Sequence, residues 1–557
     1  MRLSLPSSAA LRATVSIFSL AGLAACTPQQ VVIEKPCPPV EYPVINAPAV
    51  APAPANSVVA RTLDIRLTPA RNDAGRVVAI DVAMRFSVPP VDFGNADPIV
   101  LSLDPHVAGA NIADRIDDLE ARDTEGSLAL RLESGSDKDK PARAQWRAER
   151  RARGPVTLSY RVQPLAEDVA RDEVMVGAAG VLAFGRALFL MPATTETYTI
   201  HVDWDLQALG ADARGATSFT ADDRDIEGSP SMLENAVLTA GSLEEMSLRT
   251  TSGRGEHFRM LSLGKTAFDV GEVGPWSSRV WHEVRSAGTK ASTFDLFVRP
   301  SEKSGNRLDM HVLGSNAVAI VDGDLKFGWP EKLSLAQTMT RVARGSSWAN
   351  DRVLDEGFGT YITLDTLRKA NLANPAEIAG EMAKRSERYF TSAYLRTPSS
   401  ALAAQKDPAA WAQMDDRGLW FAAELDAKLR AKSAGKTNLV DFLRALEPAP
   451  ALNADQADIP SPMNPMTTFV KALEKELGPD AVARYRAVVE SGSAQADVPD
   501  DAFGPCFKKA KKKIQREDPG SKKRESVDGF TFAVVPKLPP SCANVVTAQA
   551  GGLQKTP

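Results

Sequence analysis

The sequence predicts an α+β protein of several domains, in which a β-rich domain precedes a mainly helical one. Two patterns predict this order: residues 58–246 mostly alternate apolar and polar side chains, whereas residues 247–448 mostly show helical spacing. The chain has 557 residues, of which 43% are hydrophobic and 24% charged, so it can bury a sizeable core. The net charge of −4 gives no overall positive field, and nucleic acid is therefore not an expected partner.

Residues 1–25 have the features of a bacterial lipoprotein signal peptide. Arg2 and Arg12 lie in a short basic region, and an apolar stretch that is too short to span a bilayer follows it. The stretch ends Leu-Ala-Ala-Cys at Cys26, which matches the lipobox. We therefore expect cleavage before Cys26 and acylation of its thiol, which would hold the protein on a membrane. An ordinary signal peptide that happens to carry a cysteine is the alternative.

Residues 26–57 are predicted to form a lipidated, extended tether, because they are rich in proline and have almost no periodicity. The residue after the cysteine is Thr27, and in enteric-type bacteria a residue other than Asp at this position implies sorting to the outer membrane. The expected location is the bacterial cell envelope, with the folded part facing the periplasm.

The β-rich domain, residues 58–246, is expected to be a sandwich or a large curved sheet, since period-two alternation buries one face of each strand. In the domain of residues 247–448, the stretch 407–435 places apolar side chains at roughly helical spacing. The stretch 293–300 can form a strand there. Residues 449–557 are predicted to be a loop-rich and helical C-terminal segment.

The C-terminal segment carries two of the four cysteines, Cys506 and Cys542, and an oxidising periplasm permits a disulfide between them. A bond that involves Cys37 instead stays open at this level. The basic run Lys508–Glu525 is interpreted as a solvated loop. Contact with anionic phosphate or lipid groups is the alternative interpretation of this run.

The most informative stretch is 333–362. Its second part, WANDRVLDEGFGTY at 348–361, resembles the third-ligand segment of gluzincin metallopeptidases of the aminopeptidase N-like and glycyl aminopeptidase-like kind. In that family, the two histidines of an HExxH helix and a glutamate farther along the chain bind zinc, and the glutamate of the motif activates water. By this resemblance Glu356 stands at the third-ligand position.

The same resemblance, counted back without gaps, places LSLAQ at the HExxH positions. Leu333 and Gln337 occupy the histidine positions, and Ser334 occupies the position of the catalytic base. Asp415 stands where the family has a tyrosine that stabilises the oxyanion. The resemblance thus implies a thermolysin-like domain that has lost its zinc ligands, and we expect no catalytic residue, no metal and no other cofactor. The five histidines do not supply an HExxH pair elsewhere, although His311 lies on a strand expected near the cleft.

Three functions remain open from the sequence. The resemblance favours a catalytically inactive aminopeptidase homologue that binds or scaffolds through its former substrate cleft, with a peptide or another envelope component as ligand. The second is an active hydrolase that uses non-standard residues around Glu356 and Asp415. The third is a purely structural envelope protein with a collapsed, apolar former site around Leu333. If Glu356 is buried without a metal, either its pKa should rise or a cation should pair with it. The candidate cations are Arg341, Arg344, Arg352 and Arg417.

Overall fold

A computed structural model describes the chain from residue 61 to residue 542, with gaps. The described ranges are 61–88, 99–103, 115–134, 144–164, 173–219, 225–249, 257–267, 269–286, 293–301, 305–345, 351–446, 465–517, 524–539 and 542. They belong to one compact unit, Val59–Pro557. The predicted signal peptide, Cys26, the tether and Cys37 lie outside the described residues.

The first region is rich in β-structure, as predicted. Its strands are β1 (Thr62–Arg71), β2 (Val77–Phe86), β3 (Val100–Leu103), β4 (Ile116–Asp123), β5 (Gly126–Ser127), β6 (Leu130–Ser134), β7 (Ala144–Ala148), β8 (Val156–Val162), β9 (Val174–Val176), β10 (Gly180–Phe184), β11 (Met191–Pro192), β12 (Tyr198–Trp204), β13 (Arg214–Thr217), β14 (Ile226–Gly228) and β15 (Val237–Gly241). The short helix α1 (Gly185–Leu188) follows β10.

These strands form three sheets. A seven-stranded sheet has the order β14-β12-β1-β2-β8-β4-β5, and two four-stranded sheets have the orders β13-β15-β10-β9 and β11-β3-β7-β6. Alternate side chains of β1 point into one core, where Leu63, Ile65 and Leu67 are at most 1% exposed. Side chains from the other two sheets, such as Trp146 and Leu238, belong to the same core. The period-two pattern therefore has its expected cause, which is one buried face for each strand.

The second region begins with a mixed five-stranded sheet, which the helical interpretation of residues 247–448 did not include beyond the stretch 293–300 and the strand expected near His311. Its strands are β16 (Leu243–Arg249), β17 (His257–Leu263), β18 (Thr293–Pro300), β19 (Leu308–Leu313) and β20 (Asn316–Val321). The order is β16-β17-β18-β20-β19, and the three central strands run parallel. Six of the seven residues of β17 are buried, including the polar Arg259 and Ser262, so the strand shows no alternation of buried and exposed positions.

Helices follow the sheet. They are α2 (Val270–Ser286), which connects β17 to β18, then α3 (Trp329–Arg344), α4 (Gly359–Lys369), α5 (Pro375–Thr391), α6 (Ser399–Ala403), α7 (Pro408–Lys432), α8 (Leu439–Arg444), α9 (Pro465–Leu477) and α10 (Pro479–Tyr485). A π-helical turn, Val353–Phe358, runs directly into α4, and a second one, Arg486–Glu490, extends α10. None of the helices in the described ranges is both long and apolar enough to cross a membrane.

Helix α7 lies in the middle of the helical core, and 15 of its 25 residues are buried. It crosses the π-turn at two glycines, Gly357 and Gly418. A Cβ atom added to Gly418 would lie 2.4 Å from the carbonyl oxygen of Val353 and 2.8 Å from the Cα of Gly357. The two backbones therefore touch, and this contact fixes the position of the turn that carries Glu356.

The prediction of a loop at Lys508–Glu525 is wrong for the part that the structure describes. Strand β21 (Phe507–Glu517) pairs with β22 (Arg524–Val534) as an antiparallel two-stranded sheet, which we call the basic hairpin. The lysines hide the strand pattern, because β21 buries apolar side chains mainly near its ends, at Phe507 and Ile514. Residues 518–523 lie outside the described ranges.

The disulfide between Cys506 and Cys542 is present at the base of the basic hairpin, with 5.7 Å between the two Cα atoms. It closes a loop across a separation of 36 residues.

We expect the double substitution Cys506→Ser with Cys542→Ser to lower the free energy of unfolding by about 3–4 kcal/mol, because the unfolded chain gains freedom. Urea denaturation under non-reducing conditions measures this loss. A reductant should bring the natural protein to the same midpoint and leave the double variant unchanged; equal midpoints without reductant would contradict the expectation.

Candidate functional site

The positions that the sequence singled out lie on two neighbouring helical segments. Leu333, Ser334 and Gln337 lie on α3, and Glu356 lies in the π-turn that leads into α4. Leu333 is 5% exposed and belongs to the large core of the second region, whereas Ser334 and Gln337 are half-buried. One of the two histidine positions of the resembled family is thus filled by a core side chain.

Neutral polar side chains join α3 to α4 at this place. The amide nitrogen Nε2 of Gln337 donates to the hydroxyl of Thr360 at 2.8 Å. One turn farther along both helices, the hydroxyl oxygens of Thr340 and Thr363 lie 2.8 Å apart. The Thr360 hydroxyl also donates to the carbonyl oxygen of Glu356 at 2.7 Å. These contacts hold the two helices together where the resembled enzymes have a metal between them.

The carboxylate of Glu356 has a cationic partner. Of the four arginines considered from the sequence, it is Arg341 that forms an ion pair with Glu356, and the two side chains are 36% and 32% exposed. The Nε atom of Arg341 also lies 3.1 Å from the carboxylate of Asp355. Arg344 donates to the carbonyl oxygens of Leu354 and Asp355, at 3.0 and 2.9 Å. The positive charge beside the Glu356 carboxylate is therefore that of the Arg341 guanidinium.

Asp415, at the position of the family's tyrosine, is also paired. Its carboxylate accepts two hydrogen bonds from Arg352, at 2.7 Å from Nε and 2.9 Å from the terminal nitrogen. Burial raises the pKa of Asp415, and the hydrogen bonds and charge of Arg352 oppose this shift. The guanidinium of Arg352 lies 5.4 Å from the ring centre of Trp411, which is 37% exposed. Both oxygens of the carboxylate are thus engaged by one arginine.

Two further buried charges nearby, Asp416 and Arg417, are structural, and Arg417 does not pair with Glu356 as the sequence had allowed. Asp416 is fully buried and accepts hydrogen bonds from Arg388, at 2.6 Å to each oxygen, and from Arg385 at 3.4 Å. Arg417 is also fully buried and donates to backbone carbonyl oxygens, including that of Thr397 at 2.9 Å. The spacing of Arg385 and Arg388, which places both on one face of α5, can be seen in the sequence. Their pairing with Asp416 on α7 can be seen only in the fold.

The residues at the ligand positions that the gluzincin resemblance implies do not fit a zinc site. Leu333 has no donor atom, the amide of Gln337 is bonded to Thr360, and the carboxylate of Glu356 is paired with Arg341. Zinc is bound by three or four nitrogen, oxygen or sulfur ligands. Within the described ranges, no group of three or more His, Cys, Asp or Glu side chains could hold a metal ion.

The four histidines in the described ranges do not converge on this site. His257 lies 2.8 Å from the hydroxyl of Ser247, and His201 lies 3.1 Å from the carboxylate of Asp225. His311 lies on β19, with its ring in an edge contact to Phe184. His282 lies on α2, and His106 is outside the described residues.

Comparison with solved structures shows which fold this is. The aminopeptidase N family protein from Idiomarina loihiensis is similar, with a TM-score of 0.61, 12% sequence identity, and coverage of 81% of this chain and 79% of that chain. The M1 zinc metallopeptidase from Deinococcus radiodurans matches with a TM-score of 0.43, 15% identity, and coverage of 79% and 96%. No family model and no curated protein matches the sequence. The chain thus has the fold of an aminopeptidase N family protein, with the β-rich region before the helical one.

Proposed function

We propose that the protein is a catalytically inactive homologue of aminopeptidase N-like enzymes, a pseudoenzyme that binds a peptide or another envelope component in the former substrate cleft. The ion pair between Arg341 and Glu356 is the observation that carries this proposal. A guanidinium now neutralises the carboxylate that would otherwise face a metal ion, and Leu333 fills a ligand position with a buried alkyl group. With Ser334 at the base position, the site also lacks the carboxylate that would deprotonate water.

The edge of the five-stranded sheet offers a place for an extended ligand. In the described part of the chain, β19 pairs on one side only, with β20, and it runs beside α3. Most residues of β19 are half-buried. A free strand edge presents main-chain donors and acceptors, and these bind an extended peptide by strand addition. This binding mode needs no metal, so it survives the loss of the zinc ligands.

The proposed location is the bacterial cell envelope. The lipobox at Cys26, the short apolar stretch before it and the proline-rich residues after it support a lipid-anchored protein that faces the periplasm. The disulfide Cys506–Cys542 fits this compartment, because an oxidising environment is needed for such a bond to persist. The identity of Thr27 favours the outer membrane.

The alternative is an active hydrolase that uses non-standard residues around Glu356 and Asp415. The raised pKa of Asp415 favours it, since a carboxyl group with a raised pKa is suited to general acid catalysis. Against it, Arg352 occupies both oxygens of Asp415, and Arg341 pairs with Glu356. A purely structural role is the third function, and it predicts that no ligand binds at the edge of β19.

The three functions are separated by one pair of assays on the chain from Thr27 onward. We expect no hydrolysis of amino-acid p-nitroanilides with or without added zinc, but measurable binding of fluorescent hexapeptides by anisotropy. Ser334→Trp, which places a large ring on α3, should weaken that binding at least tenfold. Lys475→Trp on the exposed side of α9 is the matched control and should leave it unchanged.

Each other outcome selects a different function. Hydrolysis that is lost in Glu356→Ala or Asp415→Asn would support the hydrolase, and it would overturn the inactive assignment. No peptide binding at all would remove the cleft as the binding site and favour the structural role. Equal weakening by both tryptophan variants would show that the measured binding does not involve α3.

A further inference from the structure

The basic hairpin carries a concentrated positive charge on a chain that is negative overall. Five of the six residues 508–513 are lysines. The described residues of the hairpin include seven Lys and Arg residues and three Asp and Glu residues, whereas the whole chain has a net charge of −4. Such an asymmetry of charge indicates a surface for an anionic partner.

Most of this charge is exposed to solvent. Lys508, Lys511, Lys512 and Lys513 are exposed, and of the four only Lys512 and Lys513 form ion pairs with carboxylates in the described part of the chain. The pair between Lys513 and Asp528 is 74% and 83% exposed, so water screens it strongly. Because successive side chains of a strand alternate between its faces, the five lysines of residues 508–513 lie on both faces of β21.

The hairpin is held firmly against the helical core, so its lysines have a fixed arrangement. Phe530 and Phe532 of β22 contact the ring of Trp420 on α7, with centroid distances of 5.0 and 6.2 Å. Ser386 on α5 donates to the carbonyl oxygen of Phe530. The disulfide between Cys506 and Cys542 ties the base of the hairpin to the chain that follows it.

We propose that the basic hairpin binds the anionic headgroups of a phospholipid membrane. Lysines act as point charges, and they attract a fluid layer of phosphates without a shaped pocket. The charges here are spread over both faces of a strand, which fits a layer of headgroups better than a single folded acidic partner. The proposal rests on the proposed lipid anchoring for its setting, but it involves no part of the cleft.

The length of the proposed tether, residues 27–57, determines how far the folded unit can lie from the membrane. If residues 27–57 extend fully, they span at most about 110 Å, so the folded unit can sit either on the membrane or far from it. A second, electrostatic attachment beside the lipid would favour the position on the membrane, because a tethered second contact is an intramolecular event. The hairpin would thus orient the folded unit on the bilayer.

The experiment uses the chain from Thr27 onward, which keeps the compact unit Val59–Pro557 and lacks the lipid. Its binding to vesicles that contain phosphatidylglycerol is compared with binding to vesicles of phosphatidylcholine alone. We expect binding only to the anionic vesicles, and a marked decrease between 50 and 300 mM salt because ions screen exposed charges. Replacing Lys508, Lys511 and Lys513 by Gln should weaken the partition by roughly tenfold to a hundredfold, at several-fold for each lysine.

A matched variant tests whether vesicle binding depends on the position of the lysines in the hairpin or only on the net charge of the chain. Lys265, Lys406 and Lys436 are exposed lysines outside the hairpin, and their replacement by Gln removes the same three charges. This control variant should bind anionic vesicles like the natural chain. Equal losses in both variants, or no loss in the hairpin variant, would overturn the proposal.

An edge rich in lysine can also serve only to prevent strand-to-strand association. Self-association of the hairpin variant in light scattering, together with unchanged vesicle binding, would establish that role instead and overturn the lipid proposal. The cleft proposal is unaffected by either result, because peptide binding is measured without vesicles.

Discussion

Gly418→Ala should destabilise the protein strongly, because a Cβ atom added there would lie against the backbone of the π-turn. The new Cβ would lie 2.4 Å from the carbonyl oxygen of Val353 and 2.8 Å from the Cα of Gly357. Both neighbours are backbone atoms, so neither can turn away, and α7 must separate from the π-turn. We expect a loss of about 3 kcal/mol, the upper part of the range for overpacked cores. Calorimetry should show a midpoint lower by roughly 3 °C.

Gly380→Ala is the matched control for this substitution. Gly380 lies inside α5, it is exposed, and no atom lies within 4 Å of an added Cβ. Alanine is the better helix former, so this change should stabilise the protein by about 0.5–1 kcal/mol. The two identical substitutions are thus expected to have opposite signs. A tolerated Gly418→Ala would contradict the close crossing of α7 and the π-turn, and with it the placement of Glu356.

Restoring the residues of the lost zinc site should create a metal-binding protein. The substitutions are Leu333→His, Ser334→Glu and Gln337→His on α3, together with Arg341→Ala, which releases Glu356 from its ion pair. Residues four apart on a helix lie on one face, so the two new histidines can bind one ion with Glu356 as the third ligand. We expect about one bound zinc per chain.

The restored variant offers a second readout, its stability. Without zinc it should be less stable than the natural protein by about 1–3 kcal/mol, since a polar ring replaces the buried Leu333. Zinc at a hundred times its dissociation constant should return about 2.7 kcal/mol by linkage. Arg341→Ala alone is the control and should gain no zinc. A folded variant with all four substitutions that binds no zinc would show that α3 and the π-turn do not keep the gluzincin geometry.

The sequence predicted the β-rich region because its strands bury one face, and the alternation of β1 records this directly. It did not predict most of the five-stranded sheet, since a parallel strand such as β17 is buried on both faces and has no alternation. The basic hairpin was missed for another reason. Lysines occupy most of the middle of β21, and only Phe507 and Ile514 show where its buried faces lie.

At the candidate site, the resemblance to gluzincins singled out particular positions, and the structure shows which partners the side chains at those positions have. Four arginines were possible partners of Glu356, and only the fold selects Arg341. The hydrogen bond between Gln337 and Thr360 was not predictable either, because it depends on how two helices pack rather than on spacing within one helix. Sequence patterns determine positions within an element far better than contacts between elements.

We propose that α3 and the π-turn do not form a metal site in this protein. The most direct measurement is the zinc content of the chain from Thr27 onward, expressed to the periplasm, incubated with zinc, dialysed and analysed by elemental mass spectrometry. The variant with the restored residues serves as the positive control. We expect almost no zinc in the natural chain and about one zinc ion per chain in the restored variant. About one zinc per natural chain, lost in Glu356→Ala, would contradict it and would show that other ligands complete the site.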